Sequence, residues 1–287
     1  MSKKRIRRRN KYRKLLRTLA MLGLCVSFIV ITVTLVERAE EKKNFAALQA
    51  AAAQGRQDAA ATEELPPEEP PAEATPTAEA PQETIPETTA PVSHARFILP
   101  EYLDLFGKNG DMFGWVRIEG TALDYPVMYT PKRPEYYLSH DFDRKKSESG
   151  IPFMDASCYE GCGNYLIHGH NMHHNGMFAP LLKYENHEFW QNHSTIYFDT
   201  MYETGVYEVM AMFRSKVYEA DEDGLRYYAY TDLTDESRFN YFVEKVKIAS
   251  IYETGVTAEF GDELLTLSTC SYHTDNGRFV VVAKKIR

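Results

Sequence analysis

Apolar residues along this chain follow two different patterns. From Thr18 to Val36 they form one stretch without a single charge. Nineteen such residues rise about 28 Å as a helix, enough to cross a hydrocarbon core. From Phe97 onward they come instead in short runs rich in β-branched and aromatic side chains, the mark of strands. These runs are Met112 to Ile118, Leu123 to Tyr129, Asn164 to His168, Thr195 to Asp199, Val206 to Arg214, Val246 to Tyr252, Leu264 to Thr269 and Phe279 to Ile286. Most connections between them are too short for crossover helices, so a closed, mainly β barrel is expected rather than a parallel sheet. Helices are expected at Leu99 to Lys108, around Met177 to Trp190, and from Asp235 to Lys247. In the last, Phe239, Phe242, Val243 and Val246 share a face and Thr234 can cap the N-terminus.

Charge sets the orientation of the first pattern. Residues 1–17 carry ten basic side chains and no acidic one. Cations flanking a span stay on the cytoplasmic side, which sends everything after Glu37 outside. A cleaved signal peptide would have a shorter apolar core and a small-residue cleavage site, whereas Val36 runs straight into Glu37-Arg-Ala-Glu-Glu-Lys-Lys. The expected organisation is a basic cytoplasmic tail at 1–17, a transmembrane helix at 18–36, a stalk and linker at 37–96 and a domain at 97–287. Within the linker, residues 63–92 hold eight of the fourteen prolines and no aromatic residue. Such a tract cannot bury a core; as a solvated spacer it reaches at most roughly 90 Å. The domain carries 18 basic and 29 acidic residues. That surplus of negative charge disfavours nucleic acid as a partner.

Candidate chemistry lies near the C-terminus. In Leu264-Leu-Thr-Leu-Ser-Thr-Cys270, a thiol ends an apolar strand, and eight residues later Arg278 opens the next one. A thiol at an exposed strand end beside a permanent cation suits covalent thioacyl chemistry. Such a thiol needs an imidazole, and the histidines available upstream are His168 and His170 in Leu-Ile-His-Gly-His-Asn. Cys158 and Cys162, four residues apart, leave a tight disulfide open, and Cys25 lies within the span as a small apolar residue or an acylation site. His168, His170, His173 and His174 cluster in sequence, but no HExxH or CxxC accompanies them, so no metal is expected.

The segment Thr266-Leu-Ser-Thr-Cys270 with Arg278 before Val-Val-Val-Ala resembles the signature of sortases, and most closely of class B. Gly-Trp115-Val-Arg-Ile-Glu-Gly-Thr, Asp124-Tyr-Pro-Val and Tyr137-Leu extend the resemblance over most of the domain. It implies a sortase-like eight-stranded β-barrel decorated with helices, and a cysteine transpeptidase that needs no cofactor. In that family the catalytic histidine directly follows a glycine at a strand end, which points to His170, with His168 as the alternative; a glycine there would let the backbone turn and aim the next side chain across the barrel rim. Cys270 would be the nucleophile, Arg278 would steady substrate and oxyanion, and Ser268, on the same strand face as Cys270, would contact substrate. The resemblance also implies the partners: secreted proteins bearing a C-terminal sorting signal, and an amine of a peptidoglycan cross-bridge or its lipid-linked precursor. Localisation would be the cell membrane of a Gram-positive bacterium. A chain ending at Arg287 without a second span speaks against the pilus-building class C. Two other classes stay open. One is an extracellular cysteine hydrolase; papain-like enzymes present cysteine before histidine, the reverse of the order here. The other is a non-catalytic, membrane-tethered binding module.

Overall fold

The computed structural model describes residues 3–63, 96–172 and 176–287. Helix α1 runs from Lys3 to Glu63 and is shared between two compact units, Met1–Leu48 and Gln49–Arg287. In the first unit none of the residues from Leu16 to Val36 is buried. Among the described residues this is the one helix long and apolar enough to cross a membrane.

The second unit is built around a closed barrel. Its strands are β1 (Met112–Arg117), β2 (Asp124–Met128), β3 (Phe153–Met154), β4 (Asn164–Gly169), β5 (Thr195–Thr200), β6 (Val206–Lys216), β7 (Leu264–Cys270) and β8 (Gly277–Lys285). They close in the order β1-β2-β3-β4-β7-β8-β6-β5. Two pairs, β2 with β3 and β4 with β7, are parallel, and the other pairs are antiparallel. Alternation along each strand fills the interior with side chains such as Ile167, Leu265 and Leu267, all fully buried. The expected eight-stranded architecture is therefore present.

One member of the set differs. Val246 to Tyr252 is not a strand: helix α4 spans Glu236–Ala249 and takes in Val246, which completes the buried face begun by Phe239, Phe242 and Val243. Spacing of three and four residues on one apolar face outweighs β-branched composition there. The eighth strand is β3, whose two residues are too few to show any periodicity in sequence. Its place in the barrel comes from pairing with β2 and β4. The helical signal around Met177 to Trp190 resolves into a 3-10 stretch at Ala179–Glu185 and helix α3 at His187–Asn192. Helix α2 occupies Pro100–Lys108.

Sequence also did not reveal where the end of α1 lies. The helix continues through the Ala-rich stalk segment, and its turns from Gln49 on pack against α2 and against β1 and β2. Ala52 is fully buried, the Gln49 amide donates to the Asp124 carbonyl at 2.9 Å, and the Arg56 guanidinium lies 6.0 Å over the Trp115 ring. Gly55 meets the Glu101 backbone so closely that a Cβ would lie 2.7 Å from it. A run of alanines around the single Gly55, featureless in sequence, is what allows this approach.

The cap of α4 is Asp235, whose carboxylate accepts from Arg238 N at 2.8 Å, and not Thr234, whose hydroxyl donates to Asp232. Accordingly, Asp235→Ala should cost about 1 kcal/mol in equilibrium unfolding. Thr234→Ala should stay within about 0.5 kcal/mol of wild type.

Candidate active site

The candidate residues meet through strand register. Strand β4 runs parallel to β7 with His168 opposite Ser268 and Gly169 opposite Thr269, so the next step sets His170 beside Cys270. On the other side β8 runs antiparallel to β7 with Arg278 opposite Cys270. Imidazole, thiol and guanidinium thus belong to one row at the end of three adjacent strands. All three residues are partly exposed. Asn171 fastens the row, its side-chain amide donating to the Cys270 carbonyl at 3.0 Å.

Each side chain has a defined partner. The His170 Nε2 lies 2.8 Å from the Leu138 main-chain oxygen. A carbonyl only accepts, so Nε2 carries the hydrogen, and in the neutral ring Nδ1 is the nitrogen with a free lone pair. Arg278 donates through Nη1 to the carbonyls of Asn276 and Gly277 at 3.3 and 3.0 Å. Among the described residues no carboxylate forms an ion pair with it, so its charge is left for an incoming anion or oxyanion.

Ser268 is 1% exposed, and its hydroxyl sits 2.7 Å from the Tyr227 phenol oxygen. Burial pushes the Tyr227 pKa up to about 12, against the lowering effects of the Ser268 hydrogen bond and the Arg278 charge. The phenol therefore stays neutral one row beneath the thiol. His168 faces a different partner, with Nε2 3.0 Å from Asp155 Oδ2. Burial raises the Asp155 pKa, but hydrogen bonds from His168 and from the Ser157 hydroxyl and N–H outweigh it and hold the carboxyl at about 2.

Gly169, between the two histidines, has a reason that differs from the sequence expectation of a turning strand end. It is absent from the left-handed conformations. A Cβ there would instead lie 2.6 Å from the Phe178 ring. The glycine thus clears space for an aromatic side chain packed under the His170 end of β4.

Cys158 and Cys162 are free thiols, both buried, and both donate toward the Asn164 carbonyl, at 3.7 and 3.4 Å. Hydrogen bonding to Cys162, with burial, pushes the Cys158 pKa up. In the histidine cluster, His168 engages Asp155 and His170 engages Leu138, while His173 and His174 lie outside the described residues. Sequence reasoning missed Leu138, Asn171, Tyr227 and Asp155. Only Asn171, directly after His170, carried a local signal; the others reach the site from distant segments.

Comparison with known proteins agrees with this geometry. A family model described as Sortase domain matches residues 116–286. Sortase B of Listeria monocytogenes is 35% identical over 195 residues, covering 65% of this chain and 74% of that protein. A solved Staphylococcus aureus sortase B-substrate complex superposes with a TM-score of 0.67 at 25% identity, covering 88% of this chain and 99% of that one. A crystal structure of sortase B complexed with triglycine does so with a TM-score of 0.65 at 26% identity, again covering 88% and 99%. The chain belongs to the sortase family. Within it the relatives make this a class B sortase, a cysteine transpeptidase of cell-wall protein anchoring.

Two outcomes follow from the surroundings of the site. Gly169→Ala should drive Phe178 or His170 from its position and cost about 100-fold in peptide turnover, measured as kcat/KM. Because the folded Asp155 pKa lies below its ordinary value of 3.8, its stabilising contribution is present above that value and is lost as pH falls toward 2. With solvent screening of this partly exposed pair allowed for, the stability difference between wild type and Asp155→Asn, about 1 kcal/mol at neutral pH, should therefore close between about pH 4 and pH 2 in unfolding experiments.

Proposed function

We propose that Cys270 is the nucleophile, His170 the proton carrier and Arg278 the oxyanion and substrate clamp of this transpeptidase. The observation that carries the reading is the single row formed by His170, Cys270 and Arg278 across β4, β7 and β8. The Cys270 thiolate attacks a substrate carbonyl, forming a C–S bond, and the negative charge that gathers on oxygen is met by Arg278. His170 gives its proton to the leaving amine as the C–N bond breaks, which leaves a thioacyl enzyme. An incoming amine then attacks the same carbon, His170 takes a proton from it, and the new C–N bond releases the thiolate. Water is the competing nucleophile, so the amine must reach the thioacyl carbon first.

Substrates follow from the relatives: one sortase B structure is a substrate complex and another is a complex with triglycine. For this chain we propose a sorting signal near the C-terminus of secreted proteins as acyl donor, cleaved after a threonine. A peptidoglycan cross-bridge amine, or its lipid-linked precursor, is the acceptor. Ser268, implied by the resemblance as a substrate contact, is 1% exposed and engaged by the buried Tyr227 phenol, so its part is to support the row from beneath rather than to touch substrate. The proposed topology keeps residues 1–17 cytoplasmic and 18–36 in the membrane, with 37–96 outside as stalk and linker, its helical turns from Gln49 lying against the extracellular catalytic domain at 97–287. Basic residues on one flank of an uncharged span support that orientation.

The test is a transfer assay with the full chain in detergent micelles, a sorting-signal peptide and triglycine. Wild type should release the C-terminal fragment and form the triglycine adduct. Cys270→Ala and His170→Ala should abolish both products, and Arg278→Ala should lower kcat by about 10²- to 10³-fold. Cleavage without adduct under saturating triglycine, or full activity of either alanine variant, would overturn the assignment.

A further inference from the structure

In many Cys/His sites a third group fixes which imidazole nitrogen carries the proton. Asp155, directly after β3, is engaged by His168. The acceptor recorded for His170 is the Leu138 main-chain carbonyl, at 2.8 Å. A carbonyl is only as well placed as the backbone that bears it, and here that backbone is unusually constrained.

Leu138 ends a short 3-10 turn, Tyr136–Leu138, entered through Glu135 in the left-handed region at φ 59°. Tyr137 in its middle is fully buried. Its hydroxyl accepts from Asn109 Nδ2 at 2.9 Å and donates to Asp111 Oδ2 at 2.7 Å. Arg144 closes the cluster by donating to Asn109 Oδ1 and pairing with Asp111. Burial above all, together with the Asp111 carboxylate, pushes the Tyr137 pKa up to about 12, so the hydroxyl keeps its proton and its role as donor. On the opposite side of the turn, Ile151 N donates to the Tyr137 carbonyl at 3.0 Å. Gly150 has φ 54°, and a Cβ on it would lie 2.5 Å from the Tyr137 oxygen and 2.6 Å from the Leu138 oxygen. The room left by that missing methyl is occupied by the carbonyl that holds His170.

We propose that Tyr137 and Gly150 are positioning residues for His170: together they set the Leu138 carbonyl, which keeps the imidazole in the Nε2–H tautomer and leaves Nδ1 to exchange a proton with the Cys270 thiol. This rests on the reading of His170 as proton carrier. Neither residue touches substrate. A buried, fully satisfied polar cluster is stiff because any partner lost strands another in a medium of low dielectric. A methyl at position 150 would force the carbonyl away, and a phenylalanine at 137 would leave Asn109 and Asp111 short of a partner. In either case the ring loses its fixed acceptor and gains orientations and a tautomer that cannot take the thiol proton.

The decisive measurement is the imidazole ¹⁵N spectrum of the full chain in detergent micelles, labelled at histidine and recorded at alkaline pH, with His170→Ala assigning the signal. Wild type should show His170 as a single Nε2–H form. Tyr137→Phe and Gly150→Ala should show a mixture of tautomers, with kcat lowered about 10- to 100-fold and KM within about twofold of wild type. Tyr137→Phe keeps the ring in its slot and removes only the hydroxyl, so it decides the matter if Gly150→Ala does not fold. A wild-type signal protonated on Nδ1, or both variants retaining the wild-type tautomer and turnover, would overturn the inference. Turnover surviving in His170→Ala would instead remove the proton-carrier reading, with the tautomer spectra still reporting on the clamp.

Discussion

Parallel pairing of β4 with β7 is the constraint from which the site follows. Side chains on a strand alternate faces, so a slip of one residue between these strands would turn either the thiol or the imidazole into the barrel interior. Cross-strand hydrogen bonds fasten the register along its length. Thr266 donates to the Asn164 side chain at 2.9 Å, Thr269 donates to the Gly169 carbonyl at 2.7 Å, and Asn171 reaches the Cys270 carbonyl just beyond the last pair. These bonds join segments a hundred residues apart in sequence. The antiparallel partner β8 then needs only a short hairpin to bring Arg278 opposite Cys270.

The outer face of the same two strands is a polar seam, covered step by step until its last row. Asn164 donates to the Tyr230 carbonyl, His168 meets Asp155, and Ser268 meets Tyr227. The Ser157 and Thr231 hydroxyls, 3.0 Å apart, tie the two covering segments to each other. Polar groups buried in this way are tolerable because each finds a partner. The row of His170, Cys270 and Arg278 is partly exposed, as is His168 one step before it, whereas Ser268 and Thr269 are buried. Solvent therefore reaches the thiol, while the buried neighbours on β7 support it from beneath.

Much of this is legible in the residues. The apolar span, the strand runs of β1, β2, β4 to β8 and the buried face of α4 all follow from periodicity, because each is a local pattern repeated often enough to count. Cys270 and Arg278 are legible for the same reason, as the end of one apolar run and the start of the next. Two-residue β3 is not legible, since no period can be read from Phe153 and Met154 alone. Val246 belongs by composition to a strand run and by spacing to the face of Phe239 and Phe242, and its burial in α4 decides for the helix. Gly169 stands out in sequence for the wrong reason: a turning strand end suggests backbone freedom, whereas Phe178 supplies the need for a missing side chain.

What the sequence determined by itself is which chemistry is available: an apolar stretch long enough to cross a membrane, a β-rich domain, and a cysteine and an arginine at the facing ends of adjacent runs. Those features depend on local pattern and on the identity of side chains. Tertiary structure alone decided which neighbours hold that chemistry in place, including the Leu138 carbonyl on His170, Tyr227 beneath Ser268, and the end of α1 against Trp115. Such contacts join distant segments through backbone atoms, buried hydroxyls and small residues. None of these carries a periodic or compositional mark, so they exist only once the barrel has closed.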